Sequence, residues 1–80
     1  MKINLTAYGI AKEILGAKSM ELEVPAGTDV QQLKSLLINQ YPTFGKLRSL
    51  SFATGESYRA EAYVLIAGEE VIIIPPVSGG

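Results

Sequence analysis

Apolar and polar residues alternate strictly along Lys2-Ile3-Asn4-Leu5-Thr6-Ala7: Ile3, Leu5 and Ala7 fall on one face, Lys2, Asn4 and Thr6 on the other. That period of two marks a strand with one face buried. Gly9 breaks the pattern, and Ile10 to Leu15 predicts a short turn of helix stopped by Gly16. Alternation returns at Met20-Glu21-Leu22-Glu23-Val24, with Met20, Leu22 and Val24 inward. Pro25 ends this run and Gly27 supplies a turn, so the two strands predict a hairpin.

The period then lengthens. Val30, Leu33, Leu37 and Tyr41 recur at three- and four-residue spacing and form one apolar stripe, widened by Leu36. Thr28 is read as the N-cap of this helix, with Gln31 completing a capping box and Asp29 placed in the first turn, where negative charge suits the helix dipole. Pro42 stops the helix and pushes Tyr41 toward extended backbone. Thr43 to Leu50 reads as an irregular connection with Phe44, Leu47 and Leu50 as core plugs. Ser51-Phe52-Ala53-Thr54 predicts a short strand, Gly55-Glu56 a turn, and Ser57-Tyr58 another extended piece. Tyr63 to Ile66 reads as a turn or a brief helical piece with Leu65 inward, and Gly68-Glu69-Glu70 as the turn before the last strand. Val71-Ile72-Ile73-Ile74 is apolar at every position, as expected of a central strand covered on both faces or capped by a partner. Two strands, a helix and three further short strands make an α+β fold, a mixed sheet of about five strands with one main helix packed across it.

Composition narrows the chemistry. Eighty residues at 48% hydrophobic content suffice for one small domain with a modest core. The chain has no cysteine and no histidine. Disulfides and thiolate metal sites are thereby excluded, and so are the commonest general base and transition-metal ligand. Autonomous catalysis is not expected; a binding module, a carrier or a substrate is. The formal charge of −1, with Lys and Arg scattered, gives no nucleic-acid footprint. No leader and no membrane-spanning run is read, and a cytoplasmic location is expected.

The last residues carry the sharpest signal. Pro75 and Pro76 follow the apolar strand directly. Each lacks an N–H and fixes φ near −65°, so the strand cannot continue, and the chain is projected outward as a stiff arm. Val77, Ser78, Gly79 and Gly80 follow. Glycine has no Cβ and can thread a narrow channel. Residues 1–76 are therefore read as the domain and 77–80 as an extended tail whose carboxyl group is the reactive or recognised one. Phe52, Tyr58, Leu65 and Ile72 or Ile74 are candidates for an apolar docking patch, with ordinary core burial the alternative for at least half of them. Lys46 and Arg59 read as solvated charges. Glu69 and Glu70 are given no acid–base role, since neighbours in a turn usually point apart.

Gly68-Glu69-Glu70-Val71 followed by Ile74-Pro75-Pro76-Val77-Ser78-Gly79-Gly80 resembles the corresponding segments of the small subunits of molybdopterin synthase, the MoaD-type sulfur carriers of the ubiquitin-like β-grasp superfamily, related to ThiS. Tyr8-Gly9-Ile10-Ala11-Lys12-Glu13-Ile14-Leu15-Gly16 resembles a further motif of that family. The chain departs from the pattern at Thr54 and Gly55, where the family usually has a hydrophobic residue and an Asn. The resemblance implies a β-grasp fold and a carrier whose Gly80 is adenylated, then converted to a thiocarboxylate, and Gly79 serves tail threading. It implies two protein partners, a MoeB-type ubiquitin-activating-like adenylyltransferase that uses ATP and a MoaE-type large synthase subunit in a heterotetramer. The large subunit would hold the active site for sulfur transfer to cyclic pyranopterin monophosphate. Pro75, Pro76, Val77, Ser78, Phe52 and Tyr58 are the expected partner-binding residues. No cofactor or metal is expected on the chain itself. Two alternatives stand beside this reading: a thiamin-type carrier or protein-conjugating modifier with the same tail chemistry, and a plain interaction domain with an inert tail.

Overall fold

The computed structural model describes residues 1–76. The first alternating run forms β1 (Lys2–Ala7), with Ile3, Leu5 and Ala7 fully buried. A short helix α1 (Gly9–Leu15) follows; it ends at Gly16, whose φ of 80° is the left-handed cap geometry and whose N–H donates to the Lys12 carbonyl at 2.9 Å. The second run forms β2 (Ser19–Glu23), antiparallel to β1 with Leu5 opposite Met20 and Ile3 opposite Leu22. Helix α2 (Val30–Gln40) buries Val30, Leu33 and Leu37, the stripe read from the sequence.

The cap of α2 lies one residue later than the sequence reading placed it. Asp29 is the N-cap: its Oδ1 accepts from the Gln32 N–H at 2.8 Å, and the Gln32 Oε1 accepts from the Asp29 N–H at 3.0 Å. Thr28 is instead buried, and its hydroxyl donates to the Pro25 carbonyl at 2.6 Å. A 3₁₀ turn over Pro42–Lys46 follows α2 and buries Phe44, whose ring meets Tyr41 edge-on at 6.1 Å.

Strand β3 (Ser51–Thr54) turns into β4 (Ser57–Tyr58) through Gly55 and Glu56. Gly55 has φ of 60°, and among the described residues only glycines have positive φ. This is the sign pattern of a type II′ turn, which needs glycine at its first central position. The final strand, β5 (Glu70–Ile74), lies at the centre of a five-stranded sheet of order β2-β1-β5-β3-β4, parallel to β1 and antiparallel to β3. A central final strand with one main helix across one face is the ubiquitin-like β-grasp architecture, and the fold is α+β.

Two expectations are corrected. Residues 63–66 form neither a turn nor a helical piece; they run extended beside the start of α2, where Val64 makes an antiparallel bridge to Asp29. The Tyr63 and Glu61 carbonyls accept from the Val30 and Gln31 N–H groups, each at 3.0 Å. The loop thereby satisfies helix-end donors that no intrahelical partner can reach. And β5 is not covered on both faces. Val71 and Ile73 are buried with α2, while Ile72 and Ile74 on the other face are half-buried.

Candidate functional site

Pro75 and Pro76 follow the sheet's central strand. Beyond Ile74, Pro75 and Pro76 are half-buried and outside any strand. The expected tail, Val77, Ser78, Gly79 and Gly80, lies outside the described residues.

Register identifies what surrounds the exit. Ala7 pairs with Ile73, so Tyr8 stands at the level of Ile74, and Ser51 pairs with Ile74 from the other side. Tyr8 is 52% exposed and Ile10 43% exposed. Ile10 also lines a shallow surface depression with Gly9, Lys12, Glu13 and Gly16. Two large apolar side chains thus lie in water at the end of the sheet from which Pro75 and Pro76 emerge. Reading single residues missed Tyr8 and Ile10 as partner candidates, although a signal was present. Tyr8 falls on the polar parity of β1, with Lys2, Asn4 and Thr6, where an aromatic ring cannot reach the core.

The four other patch candidates divide. Phe52 is 1% exposed and Leu65 3% exposed. Both are core side chains, so Phe52 is no partner-binding residue on this surface: its β3 parity directs it inward with Thr54. Tyr58 is 69% exposed, the most open large apolar side chain among the described residues. It ends a cross-strand row on the open face of the sheet, Thr6–Ile72–Ala53–Tyr58. Ile72 and Ile74 are half-buried on that face.

Glu69 and Glu70 point to separate partners, as expected of turn neighbours. Glu70 Oε2 accepts from the Thr6 hydroxyl at 2.9 Å across the β1–β5 pair. Glu69 accepts from the Tyr63 hydroxyl at 2.7 Å and the Ile66 N–H at 3.0 Å. Arg59 is exposed, as the sequence reading has it, and it is also tied to its neighbours. Its Nε donates to Thr54 Oγ1 at 2.6 Å, and its guanidinium lies 4.5 Å from the Tyr63 ring centre. Burial alone would raise the Glu69 carboxyl; the hydrogen bonds from Tyr63 and Ile66, with the polar Thr54 hydroxyl and the Arg59 charge nearby, outweigh it and hold the group below its ordinary range. Thr54 and Gly55, the positions that depart from the family pattern, are thus a network member and the turn-former.

Among the described residues no group of three or more acidic side chains is placed to hold a metal ion. Nor is any helix there long and apolar enough to cross a membrane.

The sequence profile of the ThiS family matches residues 5–80. The chain belongs to the ThiS family. This ThiS-family chain is 28% identical over 81 residues to the molybdopterin synthase sulfur carrier subunit of Arabidopsis thaliana, covering 100% of this chain and 84% of the plant protein. Among solved structures it matches a Pyrococcus furiosus protein provisionally named molybdopterin converting factor, subunit 1, with a TM-score of 0.86 at 20% identity, covering 96% and 99% of the two chains. It also matches a chain from the complex of subunits 1 and 2 of the molybdopterin-converting factor of Helicobacter pylori 26695, with a TM-score of 0.68 at 18% identity and 100% coverage of both. At these identities the structural matches establish the β-grasp fold.

Proposed function

We propose that this ThiS-family chain is the sulfur-carrier subunit of a molybdopterin synthase, and that its reactive group is the carboxyl of Gly80. The observation that carries the reading is the junction at Ile74–Pro76: the chain leaves a central strand through two prolines, toward Ser78, Gly79 and Gly80. Family membership and the curated relative's name support it.

A carboxylate is a poor acyl donor. In the proposed cycle its oxygen attacks the α-phosphorus of ATP on a separate MoeB-type enzyme, and pyrophosphate leaves. A sulfur nucleophile then attacks the acyl carbon, AMP leaves, and a thiocarboxylate remains. ATP belongs to the activating enzyme. The loaded tail enters a large MoaE-type synthase subunit and passes its sulfur to cyclic pyranopterin monophosphate. The two-subunit assembly named for the Helicobacter pylori neighbour supports a large-subunit partner.

The residues have distinct tasks in this reading. Pro75 and Pro76 restrict the arm before docking, which lowers the ordering cost on binding. Three extended residues reach about 10 Å, enough to carry a terminus from the domain surface into a pocket. A Cβ at Gly79 or Gly80 restricts φ and widens the thread. Tyr8 and Ile10 give a docking enzyme apolar area beside the arm. The test is incubation with the activating enzyme, ATP and sulfide, followed by intact mass. Replacement of one oxygen by sulfur, absent after deletion of Gly80, is expected; an unchanged mass with a demonstrably competent activating enzyme contradicts the proposal.

A further inference from the structure

Lys and Arg are scattered along the chain, but the fold gathers several of them. Lys12 lies in the last turn of α1. Lys18 stands where β2 begins, its carbonyl accepting from the Ala7 N–H at 2.8 Å. Lys46 ends the 3₁₀ turn that packs against α1, and Arg48 follows it on the way to β3. Ala7 pairs with Ile73 and Ser51 with Ile74, so α1, the start of β2 and the start of β3 all stand at the end of the sheet where β5 finishes. These basic residues are exposed, and among the described residues none of them makes an ion pair.

Of the 8 Asp and Glu residues, only Glu13 shares this end. The others lie toward the opposite one. Glu23 stands opposite Lys2, while Glu21 and Glu70 both pair with Asn4. Asp29 caps α2, Glu61 bonds beside that cap, and Glu56 sits in the β3–β4 turn. A chain of formal charge −1 therefore carries a basic end and an acidic end. Tyr8 and Ile10, at 52% and 43% exposure, stand within the basic one.

We propose that this basic end is an electrostatic guide: Lys12, Lys18, Lys46 and Arg48 dock on an acidic rim around the site of the enzyme that activates Gly80, a partner taken from the sulfur-carrier reading on which this rests. Reach fixes where that partner must sit. Only Val77, Ser78 and Gly79 separate Pro76 from Gly80, and four residues span at most about 14 Å. An enzyme acting on the Gly80 carboxyl has to bring the wall of its site against this end of the domain. Charge fixes the sign of that wall. On net charge alone, an acidic enzyme would weakly repel the chain from every direction. With the charges separated it attracts the basic end and repels the acidic one, so encounters arrive with Pro76 facing the site. A polynucleotide fits less well, because its charge extends past the basic end to the acidic one. Exposed apolar side chains inside a charged rim are the anatomy of a protein interface.

The experiment is stopped-flow association of the full chain with the activating enzyme, from about 20 mM to about 500 mM salt. The parent's association rate constant should fall about tenfold or more over that range. At low salt, combined Lys12→Glu, Lys46→Glu and Arg48→Glu should slow association about 10- to 100-fold, flatten the salt dependence and leave dissociation within about threefold. Lys46→Gln alone removes one charge, adds none and should slow association about two- to threefold, which keeps the test open if the triple variant fails to fold. Glu56→Lys changes net charge as much as one reversal, but at the acidic end, and should leave the rate within about twofold. Association of the charge-reversed protein at the parent's rate overturns the proposal, as does an effect confined to dissociation or an equal response to Glu56→Lys. A short single-stranded oligonucleotide bound at the basic end, with enzyme association indifferent to the reversals, overturns it too. Intact mass separates the two readings. Sulfur loaded on Gly80 at a rate indifferent to salt and charge reversal sinks the guide alone; no loading by an enzyme competent on another carrier sinks both.

Discussion

Phe52 and Tyr58 show how parity decides the fate of similar side chains six positions apart. Both are aromatic and both flank the β3–β4 turn, yet one is sealed in the core and the other stands in water. Phe52→Ala should therefore cost about 3–5 kcal/mol, the usual range for deleting a buried ring. Tyr58→Ala should change stability by less than about 0.5 kcal/mol. Chemical denaturation of the two variants measures both. The sequence placed them in one patch because a four-residue strand offers too few positions to fix its frame. In β1, by contrast, six alternating residues left no doubt that Ile3, Leu5 and Ala7 face inward. Arg59 is exposed as read, but its local contacts were not legible. Its partner Thr54 and its aromatic platform Tyr63 lie on either side of it in the chain, but only the folded loop brings them together.

Among the elements, α2 was the most legible, because its apolar stripe runs over three turns. Its start was misplaced by one residue. Thr28 with Gln31 and Asp29 with Gln32 both satisfy the capping-box spacing, and only the use of the Thr28 hydroxyl by Pro25 breaks the tie. Asp29→Ala should cost about 1 kcal/mol, while Gln31→Ala should be near neutral. Thermal unfolding of the pair distinguishes the two registers. At the β3–β4 turn, Gly55 holds φ of 60° with open space where a Cβ would stand, so Gly55→Val should destabilise by about 1–3 kcal/mol through backbone strain rather than by a clash. The loop at residues 61–65 was the least legible element. Its backbone bonds to α2 are contacts distant in sequence, with no periodic side-chain signature.

At the scale of the whole molecule, the topology gives the final strand the centre of the sheet, so Pro75 and Pro76 follow a strand paired on both sides rather than a sheet edge. Tyr8 and Ile10 stand at that same end. Tyr8→Ala combined with Ile10→Ala should leave the unfolding midpoint within a few degrees of the parent and weaken binding to the activating enzyme about tenfold or more, as loss of an apolar anchor does. Calorimetric titration checks the affinity. The end of β5 at Ile74 was legible in the sequence, since Pro75 has no N–H with which to continue a central strand. The docking surface was not, because exposure of Tyr8 depends on where β1 ends and α1 begins. The central claim, that the Gly80 carboxyl is the reactive group, is tested most directly by intact mass after incubation with the activating enzyme, ATP and sulfide. The account predicts a single oxygen-to-sulfur exchange, lost when Gly80 is deleted. An unchanged mass, with the same enzyme proved active on another carrier, would contradict it.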